Sequence, residues 1–285
     1  MPTSADIYAR THELDEATLG AIITRLEARG KQPVFIKIIN DYLDRLPLTS
    51  IQRILDLGCG TGVAARAIAR RTDFRGRILG IDISPTLVEV ARRLSEDEGI
   101  AERTDYRVGD TRCLDLTDAT FDAIIAHTLV SHVGDPLAVL TEVTRIVRPD
   151  GWAVIFDGDY TSLTLTTGDL EYGKRMEEAI INSLAANPRV MRDMPRLLRR
   201  AGLDLVTSMP YVVAEVGKAD YWAALLNSLR VLLPKAGLIT TEEVQAFVDA
   251  QFKASEDGTF FGAGNFYTYV AKRPAPHRKH EATGS

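Results

Sequence analysis

The stretch RILDLGCGTGVAARAIAR, residues 53–70, decides the fold because it joins an apolar strand-like run to a helical run through a tight turn. Gly58, Gly60 and Gly62 form that turn, and Asp56 stands just before it. Such a turn lets the backbone approach a ligand closely and leaves free N–H groups at the start of the following helix. We therefore expect a ligand to lie against this turn.

The spacing of the glycines argues against a dinucleotide ligand. A dinucleotide fingerprint reads G-x-G-x-x-G, whereas this turn reads G-x-G-x-G, with Val63 where the third glycine would stand. The Asp56 carboxylate would repel a pyrophosphate but suits a ligand that carries a cationic amine. Cys59 has no basic neighbour in sequence, so we interpret it as a small side chain beside the ligand rather than a nucleophile. An amino-acid-bearing cofactor is favoured over a nicotinamide.

Outward from the turn, short apolar runs alternate with helical stretches up to residue 157. This alternation predicts the α/β class, with a mostly parallel Rossmann-like sheet and helices on both of its faces. Two helical stripes precede the first strand, and residues 160–200 are predicted to be mainly helical. Two late strands, at 203–213 and over GNFYTYVAKR, bring the sheet to seven strands. The predicted regions are an N-terminal helical lid (1–48), a cofactor-binding core (49–157), substrate cap helices with the last two strands (158–273) and a mobile tail (274–285).

Two further acids follow later strands of this predicted sheet. Asp82 ends the second strand in GIDIS, where a carboxylate can accept both hydroxyls of a ribose. Asp110 follows the third strand in VGDTR, where it can accept from the exocyclic amine of an adenine, and Ile83 can cover a ring face. The carboxyl ends of parallel strands share one edge of the sheet. Together these acids predict adenosine with a methionine-like tail.

Composition sets limits on partners and location. The net charge of −5 gives no general attraction to nucleic acid or to anionic membranes. The two cysteines have no metal-ligand spacing, so no metal site is predicted, and a reducing cytoplasm is the natural location. The start of the chain lacks a signal-peptide pattern and no apolar run reaches about 18 residues. A soluble cytoplasmic protein with a small-molecule substrate is the expectation.

The motifs LDLGCGTG, GIDIS, GD, FDAIIAHTLVSHV and LTEVTRIVRPDGWAVI occur in this order over roughly residues 50–157. In these motifs the chain resembles class I S-adenosylmethionine-dependent methyltransferases, in particular the small-molecule enzymes similar to those of ubiquinone and menaquinone biosynthesis. The resemblance implies S-adenosylmethionine as the cofactor. It also implies the following cofactor-binding residues: Asp56, Gly58, Cys59, Gly60 and Gly62 around the methionine part, Asp82 and Ile83 at the ribose and adenine, Asp110 and Thr111 at the adenine edge, and His127 after the fourth strand.

The implied reaction moves a methyl group to a small, partly apolar or aromatic acceptor by in-line displacement. If the acceptor is a hydroxyl or a carbon acid, a base must remove a proton, and His132, His127 and Asp157 are the candidates. A structural role for either histidine is the alternative. Most aromatic residues lie at or after residue 156, so Tyr160, Tyr221 and Phe261 are the predicted substrate-binding residues.

An alternative function stays open at this point. An enzyme with this fold can use bound S-adenosylmethionine for cyclisation, elimination or decarboxylation, because a fold does not fix a reaction. The sequence leaves the acceptor atom and the oligomeric state open.

Overall fold

The computed structural model describes residues 6–275, which form one seven-stranded sheet with helices on both faces. The strand order is β3-β2-β1-β4-β5-β7-β6. The first five strands run parallel, and β7 is antiparallel to both of its neighbours. The strands are β1 (Arg53–Leu57), β2 (Arg77–Asp82), β3 (Thr104–Val108), β4 (Phe121–His127), β5 (Val147–Leu165), β6 (Asp204–Gly217) and β7 (Phe260–Lys272).

Nine α-helices are found within residues 6–275. Several begin at side-chain caps; Asp15, Ser84 and Asp135, for example, each accept a bond from a backbone N–H of the first turn. The helices are α1 (Glu16–Gly30), α2 (Pro33–Leu43), α3 (Val63–Ala69), α4 (Pro85–Asp97), α5 (Pro136–Ile146), α6 (Leu170–Leu184), α7 (Val190–Ala201), α8 (Tyr221–Ala236) and α9 (Thr241–Glu256). No helix in this part of the chain is both long and apolar enough to cross a membrane.

The central strands are apolar throughout because both faces of the sheet are buried. In β4, Ala123 and Ile125 pack into one core cluster, whereas Ile124 and Ala126 pack into the other. Side chains alternate between the faces of a strand, so a strand covered on both faces needs apolar residues at every position. The predicted seven-stranded sheet, its helices on both faces and its two late edge strands are confirmed.

One local prediction was wrong. Residues 160–165 are not the start of a helical region but the continuation of β5, which runs to Leu165. The extension pairs with β7, where Gly158 lies opposite Phe266 and Thr164 lies opposite Ala263. Its backbone groups therefore find partners about a hundred residues further along the chain, and a local pattern cannot reveal such a partner.

The N-terminal segment lies over the carboxyl edge of the sheet and against the cap helices. A 3₁₀ helix at Tyr8–Glu13 follows Ile7, whose backbone N–H donates to Ser183 O at the end of α6 (3.1 Å). Helix α1 packs beside α8, and Lys235 forms an ion pair with Asp15 (2.8 Å). The start of the described chain is thereby held over the strand ends.

Candidate functional site

A cavity of about 420 Å³ lies at the carboxyl ends of the central strands, within the range of ordinary small-molecule sites. Its walls come from the glycine turn, the ends of β2, β3 and β4, the 3₁₀ segment and α1. The predicted residues Asp56, Gly58, Cys59, Gly60, Asp82, Ile83, Asp110, Thr111, His127, His132 and Tyr160 all line it. The topology thus brings nearly all of the proposed cofactor residues to one place.

The three glycines of the turn all have positive φ, between +53° and +79°. L-residues adopt this conformation at a cost of about 1–2 kcal/mol, which explains the glycines even before a ligand is considered. Gly58 and Gly60 line the cavity. Gly62 is not among the lining residues, and a Cβ there would meet Tyr106 Oη at 2.7 Å. Backbone conformation and Tyr106 are therefore what require glycine at position 62.

Asp56 carries a buried carboxylate that is only half satisfied. Its Oδ2 accepts from the backbone N–H of Ala65 (3.1 Å), while Oδ1 has no hydrogen-bond partner among residues 6–275. Burial, together with the nearby charge of Asp82, raises the pKa of Asp56 to about 7. An unpaired buried carboxylate oxygen is costly unless a donor or a cation completes it. The site accordingly suits a ligand that brings a cationic donor.

Asp82 links the end of β2 to the glycine turn. Its Oδ2 accepts from Gly60 N–H (2.8 Å) and its Oδ1 accepts from Ser84 N–H (2.9 Å), so the carboxylate is fixed in orientation. Burial raises its pKa. Each carboxylate oxygen has a second lone pair, so both can still accept from a pair of hydroxyls.

Asp110 does not stand alone after β3. Arg112 engages both of its oxygens, with Nε 3.0 Å from Oδ1 and Nη2 2.6 Å from Oδ2, and this contact lowers the pKa of Asp110. The acid is therefore ionised at neutral pH, and its remaining lone pairs are available to a donor on the ligand. Arg112 also lines the cavity, although the sequence analysis did not single it out.

His127 ends β4 in an apolar, aromatic environment. Its Nδ1 lies 3.3 Å from Tyr42 Oη, and its ring centroid lies 4.5 Å from that of Phe156. Burial, reinforced by the charge of Arg29, lowers the pKa of His127 well below 6.5. The imidazole is thus neutral at physiological pH.

His132 is paired with an acid from the N-terminal segment. Its Nδ1 lies 3.0 Å from Asp6 Oδ2, and its ring packs between those of Tyr8 and Tyr160. Burial alone would lower the pKa of His132, but the contact with Asp6 and the charge of Asp157 raise it above 6.5. The pair holds one nitrogen of the ring, which leaves Nε2 for a ligand.

Asp157, the third candidate base, lines neither of the two cavities described here. It is fully buried, and its oxygens accept from the backbone N–H groups of Ser131 (3.0 Å) and Gly158 (2.8 Å). Burial raises its pKa. The carboxylate holds the loop that follows β4, and that loop carries His132.

A smaller cavity of about 30 Å³ adjoins the first toward the cap. Tyr160 lines both cavities and Tyr221 lines the smaller one, together with Trp222 and Phe266. Phe261, the third predicted substrate-binding residue, lines neither cavity. Adjacent residues of a strand point to opposite faces, and Phe260 is the one that packs in the core cluster with Trp222.

Two arginines on α1 border both cavities and were missed from the sequence. Arg29 Nη2 donates to Thr128 Oγ1 (2.9 Å), and Arg25 Nη1 donates to Tyr8 Oη. The available signal was their spacing, since residues four apart share one face of a helix. That face borders the predicted apolar stripe of the helix, and the sequence analysis assigned the two charges no role.

Comparison with known proteins agrees with this geometry. Residues 55–155 match the model of a methyltransferase domain. A 37.1 kDa protein of transposon TN4556 from Streptomyces fradiae is 31% identical over 232 residues, which are 81% of this chain and 65% of that protein. The chain thus spans slightly less than two thirds of that relative. The methyltransferase GfsG of Streptomyces halstedii is 29% identical over 208 residues, 70% of this chain and 69% of GfsG.

A solved structure of protein BH2331 from Bacillus halodurans C-125, described as a methyltransferase, superposes with a TM-score of 0.60. It is 18% identical and covers 83% of this chain and 99% of that one, a likeness that concerns the fold. Residues 55–155 are therefore a methyltransferase domain, and the fold that contains it is that of class I S-adenosylmethionine-dependent methyltransferases. The matched residues run from β1 into β5, and they include the glycine turn and the ends of β2, β3 and β4 that line the cavity.

Proposed function

We propose that this chain binds S-adenosylmethionine across the ends of β1, β2 and β3 and catalyses methyl transfer to a small, partly apolar or aromatic acceptor. The observation that carries the proposal is the unpartnered, buried Oδ1 of Asp56 beside the glycine turn. A cofactor that brings an ammonium group to this position would complete the carboxylate. A pyrophosphate, which brings negative charge and only acceptor oxygens, would not do so.

The remaining residues fit the other parts of the same molecule. Asp82 has its two oxygens fixed by backbone donors and is suited to the ribose hydroxyls, and Asp110 to the adenine amine. The amino acid part also carries a carboxylate. Arg29 is the cation suited to it, because it borders the cavity and is bonded to Thr128, directly after β4.

The bound cofactor supplies an electrophilic methyl group on a cationic sulfur with a good leaving group. The chain must then hold the acceptor atom in line with the breaking bond, and such positioning contributes on the order of 7–11 kcal/mol. The N-terminal segment borders the main cavity, whereas the cap helices α6 and α8 border the smaller one, and together these elements would exclude water from the site.

His132 is the residue best suited to accept a proton from the acceptor. Asp6 binds its Nδ1, which orients the ring and stabilises the protonated form, so Nε2 can take the proton. His127 is neutral and lines the same cavity, and it is the second candidate. Asp157 lies behind the wall and acts by holding the loop after β4.

The test is a search for labelled product with S-adenosylmethionine whose methyl group is deuterated. The substrates are ring-bearing alcohols, phenols and acids, and mass spectrometry follows both products. The proposal expects labelled product and S-adenosylhomocysteine in equal amounts, and a loss of about 10²–10⁴-fold in rate for His132→Ala. Turnover that yields no S-adenosylhomocysteine would instead support cyclisation, elimination or decarboxylation.

We also propose that the protein acts on a small molecule in the cytoplasm. The negative net charge and the two unpaired cysteines, Cys59 and Cys113, support this proposal. Among residues 6–275 there is no cluster of three or more metal-ligating side chains. Separating cell extracts into cytoplasmic and membrane fractions tests the location.

A further inference from the structure

Four arginines line the main cavity, and they differ in how their charge is balanced. Arg10 is paired with Glu13 (2.8 Å), and Arg112 is paired with Asp110 (2.6 Å). Arg25 and Arg29 have no carboxylate within ion-pair distance among residues 6–275. The two unbalanced charges are the two on α1, at the boundary between the cavities.

Such charges are costly in this position. The side chain of Arg25 is partly buried, and its one hydrogen-bond partner among the described residues is a neutral phenol, Tyr8 Oη. A guanidinium has five donors, and a desolvated cation is normally paired with an anion. An anion that arrives with a ligand would remove this cost.

The cofactor accounts for one of the two arginines. On the proposed function, on which this inference rests, the amino acid carboxylate lies beside the glycine turn and uses Arg29. Arg25 lies one helical turn earlier, and its guanidinium carbon is 5.2 Å from the centroid of the Tyr8 ring. Its charge remains without an anion.

The surroundings of Arg25 indicate what else the missing ligand carries. Tyr160, Tyr221 and Phe266 form an aromatic wall of the smaller cavity that Arg25 borders. Trp222 lines the same cavity, is 2% exposed, and its indole N–H has no partner among residues 6–275. A buried donor without an acceptor favours a ligand that carries acceptor oxygens, as a carboxylate or a phosphate does.

A single small acceptor molecule can reach both His132, the proposed base, and Arg25, because Tyr8 lies between these two residues. The ring of Tyr8 lies 5.1 Å from that of His132 and also stacks on Arg25. We infer that the methyl acceptor carries an anionic oxygen group, a carboxylate or a phosphate, which binds Arg25 while the rest of the acceptor packs on the Tyr160 and Tyr221 rings.

The test compares matched acids and amides on protein saturated with S-adenosylhomocysteine. The pairs are benzoate and benzamide, phenylacetate and phenylacetamide, and cinnamate and cinnamamide, and phenyl phosphate distinguishes a phosphate head group from a carboxylate. We expect at least one anion to bind about tenfold or more tightly than its neutral counterpart, with an affinity that falls as salt rises. Arg25→Gln should reduce this preference to about one.

Arg10→Gln is the matched control, since it removes a cavity arginine that already has a partner, and it should keep the preference for the anion. Equal or undetectable binding of acids, phosphate and amides would overturn the inference, as would a preference that survives Arg25→Gln. A titration of wild-type protein with S-adenosylhomocysteine comes first, and absence of binding there would overturn the proposed function and the inference with it. Success of that titration without an anion preference would overturn the inference alone.

Discussion

The carboxylate of Asp6 and the imidazole of His132 form a pair, with Oδ2 3.0 Å from Nδ1, although 126 positions separate them in the chain. Asp6 is itself held by the backbone N–H of Ala186 (2.8 Å) and of Tyr8 (2.8 Å). The N-terminal segment therefore contributes a buried acid that contacts the cavity residue His132, as well as part of the cover of the cavity. The proton affinity of the proposed base depends on where this segment lies.

Asp6→Asn should lower the pKa of His132, because the contact with Asp6 and the charge of Asp157 raise that pKa against the effect of burial. The neutral imidazole is the base, so the acidic limb of a rate profile should move to lower pH. Titration of the His132 ring protons by NMR measures the pKa directly. Glu13→Gln changes an acid of the same segment that contacts Arg10 and should leave the titration unchanged.

The same pair should contribute to stability in a defined pH range. The pKa of His132 is raised in the folded chain, so the stabilisation is complete below the unfolded value near 6.5 and is lost as pH rises through the folded value. The difference in unfolding free energy between wild type and Asp6→Asn should therefore shrink from pH 6 to pH 9. A difference that grows over this range would contradict the assignment.

Cofactor affinity should depend on the ionisation of Asp56. Burial raises the pKa of this acid to about 7, and only the charged form attracts an ammonium group. Binding of S-adenosylhomocysteine should weaken below pH 7 by up to about tenfold per pH unit. Asp82 also has a raised pKa, so the comparison of wild type with Asp56→Asn isolates the contribution of Asp56. The variant should bind S-adenosylhomocysteine weakly at pH 8, and its affinity should depend less steeply on pH. Parallel curves for both proteins would exclude this role.

Gly60→Ala and Gly62→Ala should have different consequences despite similar backbone strain. Each places alanine at positive φ, which costs about 1–2 kcal/mol. Gly62→Ala also meets Tyr106 Oη at 2.7 Å and should lose more stability, whereas Gly60→Ala should lose more cofactor affinity because position 60 lines the cavity. Thermal unfolding and calorimetric titration separate the two effects. Equal loss of affinity in both variants would contradict the account.

Asp157→Ala should destabilise the fold by about 2–5 kcal/mol, because it leaves two buried backbone N–H groups, of Ser131 and Gly158, without an acceptor. Asp97→Ala, on the exposed side of α4, is the control and should change stability by less than about 0.5 kcal/mol. Urea unfolding gives both values. A neutral Asp157→Ala variant would show that this carboxylate does not hold the loop.

The sheet and its acids could be predicted because local pattern and topology agree there. Strands covered on both faces are apolar throughout, and the ends of parallel strands share one edge, so Asp56, Asp82 and Asp110 had to converge. The extension of β5 could not be predicted, because its partner strand β7 lies about a hundred residues further on.

The parts of the site that could not be predicted from the sequence depend on tertiary packing or on strand register. Asp6 reaches His132 only because the N-terminal segment is fixed to the end of α6. In β7, side chains alternate between faces, so a difference of one residue decides that Phe260 is buried in the core while Phe261 lies on the other side. An aromatic-rich segment predicts that aromatic rings line the cavity, but it does not predict which of the rings do so.

The most direct measurement is a calorimetric titration of S-adenosylhomocysteine into wild type, Asp82→Ala and Asp105→Ala. Asp105 is an exposed acid on the neighbouring strand β3 and serves as the matched control. The account predicts micromolar binding to wild type and Asp105→Ala and no measurable binding to Asp82→Ala. Absence of binding to wild type, or undiminished binding to Asp82→Ala, would contradict it.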